Sequence, residues 1–573
     1  MNADVMRIVL LGALGVVAYL LVLAWNEDYG GPPERTVDEA VRDPLVQSTP
    51  TVPMDVPSAG TLPEASNFTP GGDLPSVVAL EEDVRRSQSS GELIRVSTDV
   101  LNVWVDTRGG DIVKVNLPAF PVSLDTPDIP MVLLDRSLSH VYIAQSGLVG
   151  PRGPDLPGDR PNYSVARSEY TLVDSEDELV VPLTYRSADG IEVIKRFRFR
   201  RGDYLVDLDF DVRNASNEPW NGNLFAQIKR DDRDPPGEES ITLGPRPYLG
   251  GAVTTQSSRY EKLDFEDLDE EPFREEVEGG WVALLQHYFL SAWIGSADET
   301  NTYYGRSHAD GTYLVGFTSP GRTLTPGSTT TFTTAFYVGP KDQHRLEEIA
   351  PNLNLTVDYG FLWWLAVPLF DLMAFLQSYV VNWGVSIILL TLIVKLVLYP
   401  LSAASYRSMA NMRRVAPQLK RVQERYSDDR EKLMREMQAL YKKEKINPLG
   451  GCLPIVLQMP VFISLYWVLY ESVELRQAVF IPGWIDDLAV KDPVFVLPLL
   501  MGASMFGQQL LSPPVPDPMQ QRMMRMMPIF FTALFLFFPA GLVLYWLTNN
   551  VLSVAQQWFI TRRIERAGRP SRS

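Results

Sequence analysis

Two hydrophobic periods divide this chain. Between residues 91 and 352 apolar and polar positions alternate in twos: Tyr204, Val206, Leu208, Phe210 and Val212 interleave with Leu205, Asp207, Asp209 and Asp211, after an Arg201-Gly202-Asp203 turn from a segment holding Phe197 and Phe199. The same alternation recurs from Val96 to Val105 and at Phe332, Thr334, Phe336 and Val338. Short alternating runs separated by turn residues predict an all-β domain of sandwich type. Residues 26–90 are rich in Pro, Gly, Ser, Thr and acids without an apolar period, which predicts a flexible tether.

Elsewhere the pattern is one of long uncharged runs. Ile8 to Trp25 is 18 residues long, enough to cross a hydrocarbon core. Asn26-Glu27-Asp28-Tyr29 lacks the small-residue pattern that signal cleavage needs, so residues 1–25 read as a retained anchor. Further runs cover 379–399, broken only by Lys395, then 449–470, 493–511 and 526–561. The last holds 36 residues, too many for one span, and Pro539-Ala540-Gly541 divides it into 523–538 and 542–561 as a tight helical hairpin. Six spans result. Pro454, Pro460 and Pro528 are expected to kink their helices. Residues 357–376, with Trp363 and Trp364, predict an amphipathic helix lying in the membrane plane before the second span.

Between residues 401 and 447 the period is helical. Val415, Leu419, Val422 and Tyr426 form one stripe, and Leu433, Met437 and Leu440 form another, with Asp428 and Glu431 placed for a capping box. Two antiparallel helices facing through these stripes would leave Arg413, Arg414, Lys420, Arg421, Lys442, Lys443 and Lys445 outside. That charge is either an ordinary cytoplasmic excess or a docking surface for phospholipid, ribosomal RNA or another translocation component; both can hold.

Charge fixes the orientation. The net charge of −18 conceals 55 acids and 29 bases in residues 26–360 against 14 acids and 22 bases in residues 361–573. The 12 basic residues of 401–447 and the Arg-rich tail fall on one side of a six-span path, and the acidic loop 471–492 and residues 26–360 on the other. By the positive-inside rule the hairpin and C-terminus face the cytoplasm and the large acidic segment lies outside, in the periplasm of a cell that has one.

Little conventional chemistry is offered. One cysteine, Cys452, excludes an internal disulfide; the four histidines do not form a metal-binding spacing with it, and no phosphate-cradling glycine loop is present. Residues 261–278, with ten acids and two bases, predict a solvated loop. His287 and Glu275 could be paired as the acid and base of a sugar-processing sandwich, but no spacing supports it. Lys395 is the exception. A lysine within a span either snorkels to the surface or faces protein or water, and Asn382, Ser386 and Thr391 on its span, with Gln458, Gln508, Gln509, Asn549, Asn550, Gln556 and Gln557 on others, favour helices grouped around a wet cavity over simple helix-to-helix bonding.

Several segments carry a resemblance: Asn447-Pro-Leu-Gly-Gly-Cys-Leu-Pro454, Gln458-Met-Pro460, Ser472-Val-Glu-Leu-Arg-Gln477, Asp517-Pro-Met-Gln520 and Phe538-Pro-Ala-Gly-Leu-Val-Leu-Tyr-Trp546. From about Val357 to Arg566 the chain resembles the YidC-type membrane insertase family of Gram-negative bacteria. Gly280 to Phe289 with Trp293 is similar to that family's periplasmic β-supersandwich. The resemblance implies a non-enzymatic insertase and chaperone of the inner membrane, without cofactor. Its implied partners are nascent membrane proteins, the Sec translocon (SecYEG and SecDF), the ribosome with signal recognition components, and the bilayer. It implies an amphiphilic groove in which one positive residue, usually arginine and here Lys395, attracts acidic groups of the substrate's exported tail, with Thr391, Gln458, Gln508, Tyr545 and Trp546 lining it. Competing classes are a secondary transporter or channel using Lys395 and the amides, for which no internal repeat is found, and a membrane-anchored periplasmic enzyme.

Overall fold

The computed structural model describes residues 91–124, 126–137, 140–156, 159–235, 247–426, 429–444, 453–511 and 518–567. The expected anchor and tether, together with Asp428 and Lys445, lie outside the described residues.

Residues 91–340 build two large β-sheets. Neighbouring strands are almost all antiparallel, one sheet with eleven strands and the other with eight. The strand Ile191–Arg200 shows why the sequence folds this way. Ile191, Val193, Phe197 and Phe199 enter the core, while Arg196, Arg198 and Arg200 face outward and pair with Asp211, Asp209 and Asp207 of the neighbouring strand Leu205–Asn214. On that strand Val206, Leu208, Phe210 and Val212 point inward. The two runs join at Gly202, whose φ of 68° suits a residue without Cβ.

Lys195 breaks the alternation, since it occupies an inward position and is fully buried. Its ammonium donates to the carbonyls of Gly109, Gly110 and Ser146 at 3.2, 2.7 and 3.0 Å. Close by, Asp155 accepts from Leu148 N at 2.8 Å and forms an ion pair with Arg160 Nε at 2.9 Å, and Arg160 also reaches Asp111 at 2.6 Å. A charge removed from water is tolerable only with such partners.

The acidic stretch 261–278 is not a loop. It forms a short strand, Glu261–Leu263, a helix, α1 (Phe265–Glu270), and a strand, Phe273–Glu278, because Leu263, Leu268 and Val277 recur inward while the acids stay outside. The first of these strands ends the eight-stranded sheet and the last ends the eleven-stranded sheet. Their opposite ends are Glu178–Arg186, which contains Pro182, and the three-residue strand Glu169–Thr171.

The strand Trp281–Leu285 is buried on both faces. Val282 and Leu284 join the core between the sheets, whereas Trp281, Ala283 and Leu285 join a second core that continues into the helices. The uninterrupted Trp-Val-Ala-Leu-Leu sequence is what such a position requires. Helix α2 (Gln343–Ile349), capped by Asp342, places Leu346 on this outer face, and the indole of Trp281 donates to Pro351 O at 3.0 Å.

Among the described residues eight α-helices follow: α3 (Trp363–Val380), α4 (Trp383–Val397), α5 (Tyr399–Arg425), α6 (Arg430–Lys443), α7 (Leu453–Glu471), α8 (Val496–Leu511), α9 (Pro518–Phe535) and α10 (Ala540–Ala567). Val381, at φ 54°, separates α3 from α4, and the side chain of Asn382 caps α4 by accepting from Val385 N at 3.0 Å. Helix α3 buries Ala366, Leu369, Phe370 and Met373 and exposes Trp363, Trp364, Phe375 and Tyr379, so its outer face is largely aromatic, with Asp371 the one exposed charge. By length and hydropathy, one described helix, Gly360–Val380, is able to cross a membrane, and Trp383–Val397 with Tyr399–Ser408, bent by 65°, forms a second candidate as a pair. Helices α5 and α6 pack with Val415 and Leu419 buried and Leu433, Met437 and Leu440 half-buried. Asp429, rather than Asp428, caps α6 through Lys432 N at 3.0 Å.

Pro454 is the second residue of α7, where a missing N–H costs nothing, so of the three prolines Pro460 and Pro528 alone lie in helix interiors. A short turn separates α9 from α10 as the Pro539 signal predicts, but α9 packs chiefly against α8, and α10 against α8, α4 and α5. The paired-hairpin expectation is therefore corrected: the two helices splay, and α9 touches α10 through Phe531 and Phe535 on Trp546.

The sandwich meets the helices at fixed points. His287 Nε2 donates to Tyr470 O at 3.0 Å, and its ring stacks on Tyr288. Arg476 and Gln477, just after α7, donate to Pro121 O at 2.9 and 2.8 Å.

Two outcomes test these contacts. Asp155→Ala, which removes one of the two carboxylates beside Arg160 and Lys195, should destabilise the sandwich by about 3–5 kcal/mol, read as a lower denaturant midpoint for its protease resistance. Burial, aided by the Lys341 ammonium, lowers the pKa of His287 from 6.5 to about 3. Above 6.5 the ring is neutral whether folded or unfolded. As pH falls from 6.5 towards 3 the unfolded chain alone takes the proton, and stability drops by up to about 1.4 kcal/mol per pH unit. Thermal midpoints across this window should flatten in His287→Gln.

Candidate functional site

Lys395 lies in the last turn of α4, one helical turn beyond Thr391, and both are buried, at 2% and 1% exposure. The position follows from the local sequence: Asn382 starts the helix, and the bend after Val397 ends it, so Lys395 falls where α4, α5 and α10 meet. Its Nζ donates to Ser553 Oγ of α10 at 2.6 Å. Ser553 in turn donates to Asn549 O at 2.7 Å, and the Tyr406 hydroxyl of α5 is also hydrogen-bonded to Ser553. Among the described residues no carboxylate is paired with Lys395. The charge is thus held by dipoles alone.

Ser553 and Tyr406 were not singled out in the sequence. The available signal was the stripe Asn549, Ser553 and Gln557, one residue per turn along α10, in which the amides drew attention and the hydroxyl did not.

The other polar residues divide. Asn382 caps α4 and bonds Phe480 O at 3.1 Å; Ser386 and Thr391 return their hydroxyls to Asn382 O and Ile387 O of their own helix. Asn550 bonds Ser504 at 3.4 Å and Gln557 bonds Leu511 O at 3.0 Å, which locks α8 and α10 side by side. For these groups the contacts are of the helix-to-helix or within-helix kind. Gln509 Oε1, Gln556 Oε1, Ser464 Oγ and Trp546 Nε1 remain buried without a protein partner, and they mark where water or a polar guest is wanted.

Tyr545 is buried and Trp546 half-buried near the start of α10. Trp546 sits between helices that do not otherwise pack closely: its ring meets Phe462 of α7 edge-on at 4.5 Å and Phe535 of α9 at 5.5 Å, and Phe462 stacks on Tyr545 at 6.3 Å. Gln458 and Gln508 are half-buried on α7 and α8. On the outer side of α9, Met523, Met526, Ile529 and Phe530 are exposed. One wall is therefore aromatic and apolar, and one end holds a cation.

Lys420 and Arg421 on α5 and Lys442 and Lys443 on α6 are exposed; Arg413 and Arg414 fall on α5 with side chains outside the described set. In the sandwich, Glu275 accepts from Gln256 N at 3.1 Å on an edge strand, while His287 is committed to Tyr470, so the imagined acid and base do not form a site. Among the described residues no group of three His, Cys, Asp or Glu side chains is placed to hold a metal.

Residues 93–372 match a family model described as the YidC periplasmic domain, and residues 375–567 match one described as 60Kd inner membrane protein. The membrane protein insertase YidC of Azotobacter vinelandii is 50% identical over 568 residues, covering 98% of this chain and 99% of that protein. The protein of the same name from Stutzerimonas stutzeri is 49% identical over 572 residues, covering 99% and 100%. A crystal structure of an active YidC insertase that includes its first transmembrane domain covers 82% of this chain and 92% of its own at 18% identity; its TM-score of 0.37 carries no weight here. On the family models and the full-length relatives, the chain belongs to the YidC family of membrane protein insertases.

Proposed function

We propose that this protein inserts nascent integral membrane proteins into the inner membrane and helps them fold, using a groove in which Lys395 supplies the single positive charge. The observation that carries the reading is the ammonium of Lys395, buried at the junction of three helices and held by a hydroxyl with no carboxylate beside it. Insertion scales set the cost of a centrally placed lysine at about 2.5–3.5 kcal/mol, an upper bound for Lys395 in the last turn of α4. An acidic residue arriving on a substrate's exported tail supplies the missing counter-charge. Arginine, with its fork of donors, would fix that contact more tightly than lysine does.

In this arrangement residues 1–25 anchor the chain, residues 26–90 tether the sandwich, and α3 lies in the outer membrane interface. Five further spans are formed by α4, α7, α8, α9 and α10. The sandwich is periplasmic, and the α5–α6 hairpin and C-terminus are cytoplasmic. The aromatic wall around Trp546 and the splay of α9 give a hydrophobic segment a place to rest before it enters lipid. Thr391, Gln458, Gln508 and Tyr545 line the route. Release of that segment is downhill by about 25 cal/mol per Å² of apolar surface, so no nucleotide is required. The basic face of the hairpin, Arg413, Arg414, Lys420, Arg421, Lys442, Lys443 and Lys445, suits docking of the ribosome, signal recognition components or acidic phospholipid, and the chain works alone or beside the Sec translocon (SecYEG and SecDF).

In proteoliposomes, Lys395→Glu should reduce insertion of a single-span substrate with an acidic exported tail by about tenfold or more, equivalent to about 1.4 kcal/mol, while Lys395→Arg retains it; equal insertion by both variants removes the electrostatic role. Ser553→Val should erase the preference for acidic over neutral tails, and Ser553→Thr should restore it, because threonine keeps the hydroxyl that positions the ammonium.

A further inference from the structure

The strands Asp111–Pro121 and Pro130–Arg136 are joined by a hairpin whose tip is apolar and open to solvent. Val122 is 38% exposed, Leu124 41% and Ile129 54%. The sandwich's other exposed large aliphatic residues, Leu93, Leu156, Val173 and Val180, are scattered over separate segments, as single surface residues ordinarily are. A cluster on one projecting turn is different.

The backbone of the tip is prepared for a medium poor in water. Val122 N donates to Ile129 O, Ile129 N to Thr126 O, and Thr126 N to Ser123 O. Pro121, Pro127 and Pro130 have no N–H to satisfy. Burial of such a turn therefore strands fewer donors than burial of an open loop would.

Its location comes from two side chains. Arg476 and Gln477 both donate to Pro121 O, and Arg476 also reaches Val122 O at 3.4 Å. They lie five and six residues after Glu471, the last residue of α7. In the topology proposed above, on which this inference rests, that end of α7 is at the outer membrane face.

We propose that the 122–129 tip rests in the outer leaflet of the bilayer as a second, shallow membrane contact of the sandwich domain. No Lys or Arg occurs between Lys114 and Arg136, the 122–129 segment carries two acids, Asp125 and Asp128, and the one cation at its base, Arg476, is engaged with the Pro121 and Val122 carbonyls. Attraction to anionic headgroups is therefore not the cause. The contact is apolar, limited by Asp128 to the headgroup and upper acyl region, and indifferent to the anionic lipid fraction.

The test uses the full-length protein with Cys452→Ser and one introduced cysteine, Leu124→Cys, Phe375→Cys on α3 or Val173→Cys on the sandwich, each labelled with an environment-sensitive fluorophore in lipid vesicles. Expected is quenching of Leu124→Cys by lipid carrying a shallow nitroxide, several-fold stronger than that of Val173→Cys and unchanged when anionic lipid is added. Quenching at Phe375→Cys but not at Leu124→Cys overturns the hairpin contact and leaves the topology standing. Quenching at neither overturns both. A blue shift at Leu124→Cys that appears only when a nascent chain or partner protein is added also overturns the proposal, in favour of a protein occupant.

Discussion

The rest of the helical region is arranged around one unfavourable placement, an ammonium group taken out of water. Lys395 can be kept there because α10 brings Ser553 within 2.6 Å and α5 adds Tyr406, and these in turn require α4 to end and bend where it does. Dipoles of hydroxyls and carbonyls stabilise a cation less than a carboxylate would. In the function proposed above that shortfall is useful, because a fully neutralised lysine would have nothing to offer an acidic substrate. Lys195 in the sandwich is the opposite case, surrounded by three carbonyls and near Asp111 and Asp155, and its role is confined to the fold.

The strand Trp281–Leu285 connects the two halves physically. Its alternate residues serve the core between the sheets and the core that runs through α2 and α3 to α7 and α10. Through it, and through His287, Arg476 and Gln477, the extramembrane domain is held to the helices by direct contacts in addition to the chain itself.

The alternation that predicted the sandwich is legible because inward and outward residues differ in kind, as at Phe197 and Phe199 against Arg196, Arg198 and Arg200. It failed for residues 261–278, where three buried apolar residues among ten acids, with Phe265 and Phe273 partly buried beside them, were enough to make two edge strands and a helix. Lys395 was conspicuous because a charge within an apolar run is rare and costly. Its partner Ser553 was not, since serine is common in helices and only the approach of α10 gives it a task. The splay of α9 from α10 could not be read from a turn signal, which announces a reversal of direction and not which neighbour each arm will choose.

The four ends of the two sheets bear on how such a domain can behave near unfolded chains. Two are strands of three residues, one carries Glu275, Glu276 and Glu278, and the last contains Pro182. Each is a poor template for a further strand. A hydrophobic polypeptide passing these four ends finds only short, acidic or proline-interrupted ladders, which do not invite the β-aggregates that a bare sheet edge would. Any hold it takes on a passing chain must be made by side chains, and is correspondingly easy to release.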